Sequence, residues 1–393
     1  MAKIMWVGDS PTVDTGFGVV SKNIIRELRS YGHEIVVLGI NTYGDPYDPR
    51  EFPYKIYPCQ PGGTTEMYGF NKLWPIVDFE KPDILFFLND PWMIADYMKR
   101  KTNDYPYMKT MAYFPTDAGP IKREWIDMLK EFDAQVCYSR FAENVVTDSN
   151  GGKRPKNLYQ IYHGIDTSVY KPLNQNIVRH EIGLDPSWFI VGMVARNQFR
   201  KRFDLLAKAF AEFATDKPDA KLYLHTSLHD VGFDILDLCQ QVGLTSDQLI
   251  LTPGVSAAKG VTEQELNQIY NTFDVNALIS LGDGFGLPVA ESMAVGCPQL
   301  VSDHSCLKEL VEGHGGLTVK NAAWILHTSG INTWGGVSDV DDIVAKLNLL
   351  YNNRELRIKY SEEAYEFITQ EKFTWKYAGN EFNNIIRKIT HLL

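Results

Sequence analysis

Apolar residues along this chain fall into short runs separated by stretches of helical spacing. Lys3–Val7 is a brief apolar run. Val19–Tyr31 then places Ile24, Ile25 and Leu28 on one face before Gly32, and His33–Ile40 is apolar again. Short apolar runs predict buried strands, and a repeat near 3.6 predicts an amphipathic helix. Ile84–Leu88, Lys109–Phe114 and Ala134–Tyr138 continue the strand series, with helical patterns between them. The pattern lapses from His163 to Asn176, a polar stretch with Gly164 and Pro172, and then restarts. Trp188–Val194, Lys221–His225, Leu249–Thr252 and Val275–Ile279 read as strands. They alternate with helices at Phe203–Phe213, Ile235–Val242, Glu263–Asn271 and Leu287–Val295. Asp339–Tyr351 and Arg354–Thr369 are further helices, and Trp375–Leu393 closes the chain with apolar positions at Phe382, Ile385 and Ile386.

Strand and helix alternating in this way predict βαβ units around a parallel sheet. The restart predicts two successive doubly wound α/β halves, with domains at 1–170 and 171–372 and a closing segment at 373–393. In such sheets ligands bind beyond the carboxyl ends of the strands, where the strand order reverses. Two such sheets also make a crevice between them the natural pocket.

Composition narrows the class. The chain has 393 residues, 44% hydrophobic and 22% charged, which is the balance of a globular protein with ample core. A formal net charge of -10 argues against a surface built throughout to hold nucleic acid or an anionic membrane. Cys59, Cys137, Cys239, Cys297 and Cys306 are scattered with no CxxC pair, as expected of reduced thiols in a cytoplasmic protein. The start, MAKIMWVGDS, reads as a first strand and not as a signal peptide. No apolar run approaches the roughly 20 residues of a membrane helix. The expectation is a soluble, cytoplasmic protein.

Three segments carry chemistry. Ser280–Glu291 reads SLGDGFGLPVAE. Gly284 and Gly286 let backbone approach a ligand, and Pro288 suits a first helical turn. The helix start at Phe285–Leu287 then offers free N–H groups to a phosphate. Glu291, placed in that first turn, is suited to accept hydrogen bonds from the two hydroxyls of a ribose. Val194–Asp204, VARNQFRKRFD, brings Arg196 and Lys201 to a strand–helix corner, two cations for a diphosphate. Asp9–Ser21, DSPTVDTGFGVVS, places Gly16 and Gly18 in the loop between a strand and a helix. Ser21 stands where a dinucleotide fingerprint has its last glycine, and the second strand ends on Gly39, Ile40 and Asn41 without an acid; both weigh against NAD.

Ser280–Glu291 resembles the signature of the retaining glycosyltransferases of family 4, which consists of two glutamates with seven residues between them around a GFGLP core. Here GFGLP is intact at Gly284–Pro288, Glu291 matches the second glutamate, and Asp283 replaces the first. The continuation SMAVGCPQLVSDHSCLKELV, with Gly296, Pro298 and Glu309, and the terminal WKYA at Trp375–Ala378 are also similar to the family. The resemblance implies a GT-B fold: two Rossmann-like domains facing across a cleft, with a C-terminal helix crossing back to the first. It also implies that Arg196 and Lys201 hold the donor diphosphate, that Glu291 holds the ribose, and that Asp283 contacts the donor sugar. Gly16 and Gly18 become cleft residues. Arg202 stands where the family has glycine, and no histidine occupies the Tyr113–Gly119 segment.

The expected reaction is retaining transfer of a sugar from a nucleoside diphosphate, with a UDP-sugar as first choice on the resemblance. The acceptor is a hydroxyl on a glycan, lipid or small molecule. Asp283, Lys201, Arg196 and Asp117 are expected to carry the chemistry. Gly16, Gly18, Arg196, Lys201, Gly284, Phe285, Gly286, Leu287 and Glu291 are expected to hold the donor. Asp117 serves as a sugar contact, a base toward the acceptor, or a turn cap. Asn89 and Asp90, near Trp92, read as a loop turn or as acceptor contacts. His163 of HGID reads as a hinge residue, with Ser139 and Arg140 at a nearby strand end. No metal and no further cofactor is expected, because the fixed cations take that role. His225 and His229 do not form an HExxH pair, and no Walker or GxSxG motif occurs.

Three rival readings remain: modification of hydroxymethylated bases in DNA, an epimerase or phosphorylase on the same fold, and a non-catalytic sugar-nucleotide binder. Lys99–Lys101 with Lys153, Arg154 and Lys156 are the candidate phosphate contacts for the DNA reading. Nothing in the sequence sets the oligomeric state.

Overall fold

The computed structural model describes residues 1–61, 66–255, 260–327 and 331–391. The chain divides into two units. One comprises Met1–Gly164, residues 331–333 and the stretch from Lys372 onward; the other comprises Ile165–His327 and Trp334–Glu371.

The first unit is built on seven parallel strands: β1 (Lys3–Asp9), β2 (Glu34–Ile40), β3 (Lys55–Pro58), β4 (Ile84–Leu88), β5 (Lys109–Phe114), β6 (Ala134–Cys137) and β7 (Leu158–Gln160). Their order is β3-β2-β1-β4-β5-β6-β7. The chain winds outward from β1 on one side and from β4 on the other, so the order reverses between those two strands. All five residues of β4, ILFFL, are buried, as expected of a parallel strand covered on both faces.

The β1 turn enters the helix Gly16–Ser30 one residue after Thr15. Thr15 Oγ1 accepts from Gly18 N at 2.9 Å and donates to Asp9 Oδ2 at 2.5 Å, so the strand end and the helix start share one side chain. Gly16 and Gly18 are therefore first-turn helical residues and not part of the preceding loop, because Thr15 is a good N-cap. At Gly18 a Cβ would lie 2.2 Å from the Val13 carbonyl oxygen, which leaves room only for hydrogen.

The second unit repeats the plan with six parallel strands: β8 (Phe189–Val194), β9 (Ala220–His225), β10 (Leu249–Leu251), β11 (Val275–Leu278), β12 (Gln299–Ser302) and β13 (Gly316–Val319). The order is β10-β9-β8-β11-β12-β13, and the reversal falls between β8 and β11. An antiparallel hairpin follows, β14 (Asn321–Leu326) with β15 (Trp334–Ser338). Its inner side meets the β11 loop: Gly336 N donates to the Leu281 carbonyl at 3.2 Å.

The last helix, Trp375–Thr390, belongs to the first unit. It packs along Gly16–Ser30, with Asn383 Oδ1 3.0 Å from His33 Nε2. Phe382 sits at ring distances of 5.3 Å from Phe86 and 4.9 Å from Tyr113. The apolar stripe of Phe382, Ile385 and Ile386 is its buried face.

Gly18→Ala is expected to lower stability by roughly 1–3 kcal/mol, since the clash is with backbone that has little room to retreat. Chemical denaturation of the variant, followed through the first unit, checks it; an unchanged midpoint contradicts it.

Candidate active site

Two segments of the second unit leave the carboxyl ends of β8 and β11, the pair at which strand order reverses. A doubly wound sheet opens its crevice there, because connections depart to opposite faces. After β8 the chain passes through Arg196 and a short 3-10 turn, Phe199–Lys201, into the helix Phe203–Phe213. Asn197 fixes this turn: its amide donates to the Ser227 carbonyl at 3.1 Å and the Phe233 carbonyl at 2.6 Å, and its oxygen accepts from Phe233 N. Arg202 joins turn to helix in the left-handed region, at φ 48°. That backbone is one glycine adopts without strain, which accounts for the family's glycine at this place. The Arg202 guanidinium forks onto Asp204 at 2.8 and 2.6 Å, which offsets part of the conformational cost.

After β11, hydrogen bonds hold the glycine-rich loop at several points. Ser280 N donates to Ser302 Oγ at 2.9 Å, Leu281 N to the Arg200 carbonyl at 2.8 Å, and Asp283 N to Ser305 Oγ at 3.1 Å. Gly286, at φ 91°, turns the chain into the helix Leu287–Ala294, with Pro288 in its opening turn. Phe285 is buried beneath the turn. A glycine is needed at the left-handed position so that the helix can start without strain.

The two segments meet at Asp283, which is 4% exposed. Its Oδ1 accepts from Lys201 Nζ at 2.5 Å and from Arg200 Nη1 at 2.8 Å. Arg200 Nη1 also donates to the Gly282 carbonyl at 2.9 Å. Burial alone pushes the Asp283 carboxyl up, but the Lys201 and Arg200 cations outweigh it and hold the group down at about 2. Oδ2 is buried and has no hydrogen-bond partner among the described residues.

Glu291 is in the opposite state. It lies in the second turn of the helix, not the first, whose residues include no acid. Its Oε2 accepts from the Tyr270 hydroxyl at 2.7 Å. Burial pushes its carboxyl up to about 7, the tyrosine opposing the rise. Arg196 is half-exposed and forks onto Asp230 at 2.7 and 3.2 Å.

The structure thus brings Lys201 and Asp283 together at the head of the Gly284–Leu287 turn and pairs Arg196 with Asp230. Gly16 and Gly18 lie in the first unit, at the β1 end of its own reversal point, with Asn89 at the β4 end donating to the Val7 carbonyl at 3.2 Å. Asp117 follows β5 and is half-buried. Asp90 is the residue before the helix Pro91–Lys99, and Trp92 packs edge-on against Tyr68 beside the core. His163 is enclosed by Tyr113, whose hydroxyl is 2.7 Å from Nδ1, and burial holds its imidazole down at about 3, so it stays neutral. His225 Nδ1 lies 2.9 Å from Thr252 Oγ1. The two basic runs are partly neutralised: Arg154 pairs with Glu143 at 2.5 Å, Lys99 with Asp96 at 3.5 Å and Lys101 with Asp104 at 3.6 Å. Sequence reasoning missed Arg200, Tyr270 and the Asp230 partner. Only Arg200 carried a local signal, as the neighbour of Lys201 in FRKR.

Residues 174–367 match the family described as Glycosyl transferases group 1. Those residues make up most of the second unit, and that part of the chain carries the family's domain. Among curated relatives, a D-inositol 3-phosphate glycosyltransferase of Rhodococcus erythropolis is 24% identical over 243 residues, 60% of this chain and 50% of the relative. A mannosylfructose-phosphate synthase of Agrobacterium fabrum is 26% identical over 224 residues, 56% of this chain and 48% of the relative. The chain therefore spans about half the length of these relatives. Among solved structures, sucrose-phosphate synthase from Thermosynechococcus elongatus superposes with a TM-score of 0.78 at 15% identity, covering 100% of each chain. HepE of Anabaena in complex with UDP-glucose superposes with a TM-score of 0.72 at 15% identity, covering 99% of this chain and 100% of that one. At these identities the likeness speaks for the fold, which is the GT-B architecture of two parallel-sheet α/β units. Among the described residues no helix is long and apolar enough to cross a membrane.

Two outcomes follow for this group 1 domain. Arg202→Gly loses the Asp204 fork but relieves the left-handed backbone, so stability is expected to stay within about 1 kcal/mol of the parent. Arg202→Val, which places a β-branched residue at the same φ, is expected to lose about 2 kcal/mol, read by denaturant unfolding. For Glu291, the folded chain keeps a proton that the unfolded chain releases near 4.5, so this group's contribution to stability falls as pH rises from about 4.5 through about 7. Glu291→Gln is expected to flatten that fall in a thermal-unfolding series across the window; an unaltered slope contradicts the assignment.

Proposed function

We propose that this protein transfers a glycosyl group from a nucleoside diphosphate sugar to a hydroxyl acceptor, with retention at the anomeric carbon. The observation that carries the reading is the meeting of Lys201 and Asp283 beyond β8 and β11, beside the helix that Gly286 starts. A crevice with a helix N-terminus and a buried cation suits a diphosphate leaving group. Lys201 and Arg196, the latter exchanging Asp230 for phosphate oxygens, stabilise the charge that develops on that group. The amides of Phe285–Leu287 assist. Glu291 accepts from the ribose, and Asp283 orients the sugar.

The donor is proposed to be a UDP-sugar, a choice supported by the UDP-glucose bound to the similar HepE. The acceptor is proposed to be a glycan, lipid or small-molecule hydroxyl, held by the strand-end loops of the first unit near Gly16, Gly18, Asp90 and Asp117. The net charge of -10 favours this over a DNA acceptor. Fixed cations take the place of a metal in the proposed chemistry.

A thermal-shift panel of UDP-, GDP-, ADP- and TDP-sugars tests the donor class, because a ligand that binds only the folded chain raises its melting point. With the donor in hand, Lys201→Ala is expected to cut kcat by at least roughly 100-fold while remaining folded. Transfer is expected to persist in EDTA. Full turnover by the variant, or loss of turnover in EDTA that added metal restores, contradicts these roles.

A further inference from the structure

The carboxylate of Asp283 is gripped by two cations through the same oxygen. One of them, Lys201, is the cation the donor reading above assigns to the diphosphate, so that pair must loosen or be shared when the donor arrives. An aspartate this deeply buried cannot stay ionised and in place if its only neutralising partner turns away.

Arg200 is built to prevent this. Its side chain reaches from the turn after β8 to the loop after β11, where Nη1 donates to both the Gly282 carbonyl and Asp283 Oδ1. Its own carbonyl accepts from Leu281 N at 2.8 Å and Ser280 Oγ at 3.2 Å. Arg200 therefore straps the two loops together by main chain and side chain at once. Its guanidinium stays charged at any working pH. While both cations sit on Oδ1, the acceptor capacity of Asp283 that remains is at Oδ2, which is enclosed and lacks a partner among the described residues. A buried carboxylate oxygen without a donor is costly, and a hydroxyl from a bound ligand relieves that cost.

We propose that Arg200 is the positioning residue of the donor-sugar subsite: it holds Asp283 through Oδ1 while Lys201 serves the diphosphate, and so presents Oδ2 to a hydroxyl of the transferred sugar. This assignment rests on the donor reading above. It differs from a purely structural strap in that its effect falls on the sugar and not on the nucleotide.

Isothermal titration of the full chain with UDP and UDP-glucose, and with GDP and GDP-mannose as a second pair, separates the two. In Arg200→Gln, affinity for the free nucleoside diphosphate is expected to stay within about threefold of the parent. Affinity for the matching nucleotide sugar is expected to fall roughly ten- to a hundredfold, the worth of a hydrogen bond to a charged group. Arg200→Lys is expected to recover part of the sugar-selective loss, since it restores charge but not the guanidinium geometry that serves the Gly282 carbonyl and Asp283 Oδ1 together. The acid limb of kcat/KM is expected to move to higher pH in Arg200→Gln, because the carboxyl has lost one of the cations that hold it down. Equal losses for nucleotide and nucleotide sugar would place Arg200 on the diphosphate and overturn the assignment, as would no loss for either. If Arg200→Gln fails to fold, Arg200→Lys carries the test, a smaller sugar-selective loss being expected and its absence overturning the proposal. A parent protein that binds neither nucleotide nor nucleotide sugar removes the donor reading itself, and this assignment with it.

Discussion

A single ionised carboxylate, taken almost wholly out of water, ties together the working parts of the second unit. Asp283 belongs to the segment after β11, and its two cations belong to the segment after β8. These segments leave the sheet at the point where its winding changes direction, so no shared strand pairing beyond that point keeps them in register. The charge cluster supplies that constraint together with the bond from Leu281 N to the Arg200 carbonyl. Its geometry follows from desolvation: neither Lys201 nor Asp283 tolerates burial alone, and together with Arg200 they form a group with one net positive charge.

The two buried acids near the Gly286 helix show how environment divides one chemistry into two states. Asp283 faces cations and stays ionised, while Glu291 faces a tyrosine hydroxyl in apolar surroundings and holds its proton near neutrality. The first suits a fixed hydrogen-bond acceptor. The second ionises readily once donors from a ligand reach it. Neither state follows from residue type, and both follow from what is packed within hydrogen-bond distance.

Much of the sheet scaffold was legible in the chain, for a physical reason. Strands such as Ile84–Leu88 and Phe189–Val194 are buried on both faces and so read as unbroken apolar runs. The edge elements β3, β7, β13 and the β14–β15 hairpin carry lysine, glutamine, glycine and exposed tryptophan, and their pattern is diluted accordingly. In the candidate site, the glycine-rich loop and its neighbouring cations were visible as local strings. Their mutual pairing was not, because Lys201 and Asp283 lie 82 positions apart and meet only through tertiary packing. The turn at Arg202 shows a different limit: a residue without positional preference for left-handed backbone occupies it because the Asp204 fork compensates. Likewise Glu291 stands one turn further along its helix than spacing suggested, since the helix opens at Leu287.

The final helix has a consequence for biogenesis. Trp375–Thr390 completes the core of the unit that the ribosome makes first, covering Phe86, Tyr113 and the flank of Gly16–Ser30. Those surfaces stay uncovered throughout synthesis of the intervening half, which has all of its own strands before the tail emerges. Maturation therefore runs out of order: the strands of the later half are all made before the earlier half receives the helix that covers its apolar surface.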